Sequence, residues 1–141
     1  MAGSMGLELH IERATSEQEI ENAFAAFKEW RAGALVIGAD AYFGARSEQL
    51  AALATRDALA AIGSFPRFAR AGGLMCYGGN PTEQWHLLGL YTARVLSGEK
   101  PADLPVQQST NVELVINLKA AKALGIAVPM TLLGRADEVI E

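Results

Sequence analysis

Cys76, the one cysteine of this sequence, and His86, one of its two histidines, make the pair on offer as a cysteine nucleophile and a histidine base, the thiol standing just before a glycine pair and the imidazole beyond it. Such a pair works only if the ring nitrogen comes within hydrogen-bond reach of the sulfur. The plainer reading is a small buried thiol and an imidazole on a helix surface. His10 has no second ligand type at useful spacing, and one cysteine can build neither a metal cluster, a redox pair nor an internal disulfide. The glycine pairs at 72–73 and 78–79 match neither phosphate-cradling pattern, GxGxxG or GxxxxGKS/T, so no nucleotide, cofactor or metal is expected. The acidic pairs Glu17 with Glu19 and Asp137 with Glu138 read as solvated helix faces.

Residues suited to holding a ligand are better placed. Asp40 closes an apolar run, Ala34-Leu35-Val36-Ile37-Gly38, that reads as a central parallel strand. A carboxylate there stands where open α/β sheets bind ligands; it serves equally well as the cap of the segment that follows. Tyr42 and Phe43 come next and can either stack on a flat ligand or join the core. Tyr77 has the same two readings, and Gly78 permits positive φ or close backbone approach.

The elements that would position these groups follow from periodicity. Leu7, Leu9 and Ile11 alternate with polar residues and predict a strand over 6–12. Thr15 or Ser16, with Gln18 or Glu19 three residues on, predicts a capped helix carrying Ile20, Phe24, Phe27 and Arg31 on one stripe and stopped by Gly33. A second helix carries Leu50, Leu53 and Ala54; short strands are expected at 60–62 and 74–77, with a helical turn at 65–68 between them. Pro81 opens a helix to Ser97 that is apolar on two sides, with Trp85, Leu88, Val95 and Leu96 on one stripe and Leu87, Leu90 and Tyr91 on another. A strand at 113–117, a short helix ended by Gly125 and an amphipathic segment from Pro129 to Glu141 complete an α/β pattern.

Bulk properties exclude several classes. With 141 residues, half of them hydrophobic, the chain is sized for one globular domain. A formal charge of −4 opposes binding to a phosphate backbone, so nucleic acid is not an expected partner. No apolar stretch approaches the length of a membrane span, and no export signal is read at the start, whose Met-Ala-Gly-Ser-Met reads as an artificial or truncated beginning.

Several segments together resemble the ABC-transporter substrate-binding proteins of the tryptophan/tyrosine type. They are Ala39-Asp40 with Phe43, AGGLMCYG at 71–78, GEKPADLPVQ at 98–107, ELVINLK at 113–119, AKALG at 121–125 and RADEVIE at 135–141, in the family's order. The resemblance covers the C-terminal part of such a protein only. It implies a type I periplasmic-binding-protein-like fold: a three-layer α/β lobe with a parallel sheet, plus a helix returning from an incomplete first lobe. On that reading residues 7–72 are the core of the second lobe, 73–103 the hinge and returning helix, and 104–141 the hinge strand and C-terminal helices. It implies no catalysis and a small organic ligand such as an amino acid, held by Asp40, Tyr42, Phe43, Tyr77, Gly78 and Asn80. An ABC permease would be the partner of a full-length parent that is periplasmic or a cell-surface lipoprotein. The second stripe of the 81–97 helix would then lack its sheet, so a homo-oligomer is expected, swapped through that helix. Where this chain has Asp40-Ala41, Gly63 and Cys76, the family usually has Asp-Pro, an aromatic and Ser, which leaves ligand specificity open. The rival classes are a ligand-sensing domain of a transcriptional regulator, for which no helix-turn-helix precedes the lobe, and a small enzyme using Cys76 and His86.

Overall fold

The computed structural model describes residues 2–79, 81–107 and 111–141. Two compact units are present, Met1–Gly33 and Ala34–Glu141.

In the first unit, helix α1 (Glu17–Glu29) begins with the expected capping box. Ser16 Oγ accepts the Glu19 N–H, and the Glu19 carboxylate reaches back to the Thr15 N–H and hydroxyl at 2.6 and 2.8 Å. Glu19 is therefore a capping residue, and these bonds hold its carboxyl below its ordinary pKa. Of the expected stripe Ile20 and Phe24 are buried, with Ala23 beside them, while Phe27 is half-buried and Arg31 exposed. The helix stops earlier than Gly33, because Arg31 turns the chain with a left-handed φ of 52°. The strand expected over 6–12 is absent: Leu7, Leu9 and Ile11 are exposed, and no ladder reaches them. Alternation supplies a face to bury but not the neighbouring strand that would bury it.

The second unit is a five-stranded sheet in sequence order: β1 (Ala34–Val36), β2 (Ala60–Gly63), β3 (Met75–Gly79), β4 (Val112–Asn117) and β5 (Glu138–Ile140). Helices α2 (Ala41–Ala45), α3 (Ser47–Arg56) and α4 (Pro66–Arg70) join the first three strands. Helix α5 (Pro81–Leu96) lies between β3 and β4, with α6 (Leu118–Ala123) and α7 (Met130–Leu133) before β5. The pairs β1–β2, β2–β3 and β4–β5 are parallel, and β3–β4 is antiparallel. That reversal follows from the path: the chain leaves the carboxyl end of β3, runs through α5 and re-enters β4 at the same edge.

The apolar run at 34–38 is an edge strand rather than a central one, and Val36 is 78% exposed. The strand buried on both faces is β4, where Leu114 through Asn117 are all buried. Its Val115 packs with Cys76 of β3 and Ala69 of α4, and Ile140 closes against them. The expected C-terminal amphipathic segment is instead a short helix and a strand. Asp137 is committed to backbone: its carboxylate accepts the Leu114 N–H at 2.8 Å, and its own N–H donates to the Leu114 carbonyl at 2.9 Å. Glu138 forms a two-point pair with Arg70, at 3.3 Å through Nε and 2.6 Å through Nη2. Neither is the solvated helix residue that the acidic pairing suggested.

Asn117 joins four segments. Its N–H donates to the Leu74 carbonyl at 2.9 Å, its Nδ2 to the Ala69 carbonyl at 2.9 Å, and its Oδ1 accepts the Ala120 N–H at 3.0 Å, capping α6. Replacing Asn117 by Ala removes a cap and takes one of its two donors from the Ala69 carbonyl, which keeps the Gly72 N–H at 3.1 Å, a loss of about 2 kcal/mol. Thermal unfolding followed by circular dichroism should show the midpoint falling by roughly 6–12 °C; an unchanged midpoint would mean the amide is dispensable.

Candidate functional site

Because β1, β2 and β3 run parallel, the segments that follow them emerge at one edge of the sheet. Continued two residues past the Val36–Ile62–Met75 row, the register sets Gly38, Ser64 and Tyr77 level, with about 10 Å between the outer two strands.

After β1 the chain turns at Gly38, whose carbonyl accepts the Asp40 N–H at 3.0 Å. Asp40 Oδ1 then accepts the Tyr42 N–H at 2.8 Å and caps α2, while the residue stays exposed. Capping therefore accounts for one carboxylate oxygen. Tyr42 and Phe43 are half-buried and meet edge to face, with ring centroids 5.8 Å apart. The Arg46 guanidinium lies 3.7 Å from the Tyr42 ring centroid, close enough for a cation–π contact. The Tyr42 hydroxyl is buried with no hydrogen-bond partner among the described residues. Gly44 is required for packing, since a Cβ there would come within 2.9 Å of the Phe65 ring.

After β2, Ser64 donates its hydroxyl to the Ile37 carbonyl at 3.3 Å, tying the end of β2 to the end of β1. Its own carbonyl lies directly over β3, where a Cβ on Gly78 would sit 1.9 Å from it. Gly78 is thus a close-approach glycine, without positive φ. It also pairs with Glu113 in the β3–β4 ladder. Alternation from the Asn117–Leu74 bond makes Gly78 and Glu113 a hydrogen-bonded pair, so the sheet already occupies the Gly78 backbone. Tyr77, 60% exposed, projects from the opposite face to buried Cys76.

The structure thus gathers Asp40, Tyr42 and Phe43 into one turn and puts Tyr77 and Gly78 on a strand end two strands away along the same edge. Asn80 lies outside the described residues. Ser64 and Arg46 belong to this edge too and were missed. The rule that picked Asp40, a polar residue just beyond a parallel strand, would have picked Ser64 had the weak strand before it been weighted equally.

The cysteine–histidine pairing finds no support. Cys76 is fully buried, and burial pushes its thiol above the ordinary range, whereas a nucleophile needs an accessible thiolate. His86 is exposed on α5. Among the described residues no group of three or more His, Cys, Asp or Glu side chains could hold a metal ion, and no helix is long and apolar enough to cross a membrane.

Two consequences are measurable. Gly78→Ala forces the backbone apart at Ser64 and should cost about 3 kcal/mol in urea unfolding, whereas Gly38→Ala, which meets nothing within 4 Å, should change stability by less than about 0.5 kcal/mol. Iodoacetamide should leave Cys76 unlabelled in the folded chain and label it in urea. With the folded thiol raised, the unfolded chain loses this proton first. Stability should therefore fall as pH rises above the ordinary thiol value of about 8.5.

A family described as ABC transporter substrate binding protein matches residues 1–140. No curated protein matches. Among solved structures, a conserved domain protein from Vibrio cholerae is 25% identical with a TM-score of 0.88, over 98% of this chain and 46% of that one. An ABC domain in complex with L-Trp from Streptococcus pneumoniae is 25% identical with a TM-score of 0.87, over 99% and 48%. The ligand-free, open structure of a substrate binding protein with adhesive properties from Clostridium difficile is 21% identical with a TM-score of 0.64, over 99% and 46%, and shares the fold. The chain spans just under half the length of each of these proteins.

Proposed function

The chain belongs to the ABC transporter substrate binding protein family, and on that premise we propose that it supplies one wall of a solute-binding cleft. The bound solute would be a small organic molecule carrying a flat apolar group, with an aromatic amino acid the first candidate. In this reading the carboxyl edge of β1–β3 faces the ligand. Phe43 and Tyr77 offer aromatic surface, and Asp40 offers the carboxylate oxygen that does not cap α2. The backbone of Gly78 contributes shape rather than donors, because its polar groups serve the β3–β4 ladder. A whole protein of this family would pass the solute to a membrane permease from outside the cytoplasm, binding without chemical change.

The observation that carries the proposal is the grouping of exposed Asp40 and Tyr77 with half-buried Tyr42 and Phe43 along one carboxyl edge, in a chain whose family binds transporter substrates. The L-Trp held by the Streptococcus pneumoniae neighbour supports an aromatic amino acid as the first ligand to try. A small molecule is normally enclosed over 70–90% of its surface, and one wall cannot do that. The chain alone should therefore bind weakly.

Amide NMR spectra recorded with L-tryptophan raised to several millimolar, a range suited to weak binding, test both points. Asp40 to Phe43 and Tyr77 should shift without saturating, while Leu59 and Gly73, at the opposite ends of the strands, stay put. Silence at the carboxyl edge with every aromatic amino acid would reject the proposal. Micromolar affinity measured by calorimetry would instead show that one wall suffices.

A further inference from the structure

We propose that Arg46 is a specificity-determining residue of the carboxyl edge, the cation that takes the carboxylate of an amino-acid solute while Asp40 takes its ammonium group. The inference rests on the reading of that edge as a solute wall and adds the chemical groups that the solute must carry. Three cations follow β1 and β2 within ten residues: Arg46, Arg67 and Arg70. Arg67 and Arg70 are exposed and reach away from the edge, to Glu48 of α3 at 2.8 Å and to Glu138 of β5 at 2.6 Å. Arg46 is half-buried and turns back. It stands four residues beyond Tyr42 at the end of α2, and a helical side chain leans toward the preceding turn. Its guanidinium carbon lies 3.7 Å from the Tyr42 ring centroid. The charge is thereby returned from the end of α2 to its first turn, where Asp40 Oδ1 holds the Tyr42 N–H.

Stacking engages the flat face of a guanidinium, and its N–H donors leave from the edge, in the plane of a fork that matches a carboxylate. Held on a ring, the fork loses less freedom when it binds, and half burial makes its charge count for more than it would in open water. The ring is itself fixed: Phe43 meets it edge to face with centroids 5.8 Å apart, and the adjoining Gly44 is packed on Phe65. Tyr42 is thus a positioning residue, one face of its ring being taken by Arg46. Its hydroxyl is buried with no hydrogen-bond partner among the described residues, so the ring and not the oxygen performs this task. An amino acid carries an ammonium and a carboxylate on one carbon. Asp40 and Arg46, opposite in sign and joined through Tyr42, offer a partner for each, and an arrangement of this kind discriminates against a solute lacking either group.

Amide NMR titrations of the 141-residue chain with L-tryptophan, L-tryptophanamide and indole-3-propionate test this, with affinity read from the initial slopes of the shifts at Phe43 and Tyr77. L-Tryptophan should bind roughly five- to tenfold more tightly than the amide, which lacks the carboxylate, and more tightly than indole-3-propionate, which lacks the ammonium. Arg46→Gln should erase the preference over the amide and leave the preference over indole-3-propionate, with unmoved Leu59 and Gly73 resonances reporting an intact fold. Tyr42→Phe, which keeps the ring, should retain the preference for the carboxylate, and Tyr42→Leu should weaken it. Indole compounds that shift the edge equally well with and without a carboxylate overturn the role of Arg46 and leave the solute wall standing. A preference that survives Arg46→Gln overturns it as well. If none of the three compounds moves an edge amide, both readings fall. Should Arg46→Gln fail to fold, the three ligands on the unaltered chain still decide.

Discussion

Asn117 is 5% exposed, yet its side-chain amide and backbone N–H reach three separate segments. Through Nδ2 it holds α4 against the sheet, through Oδ1 it starts α6, and through its N–H it aligns β4 beside the start of β3. The last contact matters most. β4 arrives after a long excursion and runs against its neighbour, so its register is not set by a short turn. A slip of one residue would turn Val115 away from Cys76 and Ala69 and expose the best-buried strand of the chain. A buried amide with specific partners forbids that slip in a way that apolar contacts, being non-directional, do not. The carboxyl edge where Gly78 faces Glu113 follows from the same register, so the candidate site depends on an interaction at the far end of the strand.

Much of this was readable from residue order. The capping box at Thr15–Glu19, the buried Ile20 and Phe24 of the α1 stripe, the core positions Leu50, Leu53 and Ala54, and the extent of α5 all come from local rules that the fold obeys. The failures share one cause, which is that periodicity describes a segment and not its neighbours. Leu7, Leu9 and Ile11 have the pattern of a strand and no ladder. Ala34 to Val36 have the apolar run of a central strand and lie at the edge. Glu138 to Ile140 fall in a segment read as amphipathic, which made Asp137 and Glu138 look like a solvated helix pair, when each is fixed by a residue more than twenty positions away, Leu114 and Arg70.

The site was legible in the same partial way. The candidate edge follows from a general property of parallel sheets, and Asp40, Tyr42, Phe43 and Tyr77 lie along it. What sequence could not give was how the backbone divides its duties. For Gly78 the sequence left open positive φ or close backbone approach, and the structure shows the second, since it makes room for the Ser64 carbonyl. Gly63 and Gly73 are similar: a Cβ on either would come within 3 Å of the Phe68 ring. An aromatic residue at position 63 would compete with Phe68 for one space, which gives the departure at Gly63 a physical reason.

The contact at Gly78 has a further meaning when joined to the bond from Ser64 to Ile37. The ends of three strands are linked in series, by a hydroxyl between the first two and by bare backbone between the last two, with no flexible side chain to take up movement. The shape of this edge is therefore set by the fold, and for the solute role proposed above little ordering of the surface would remain to be done on contact. In that role such an edge would select by rejecting what does not fit rather than by adjusting to it.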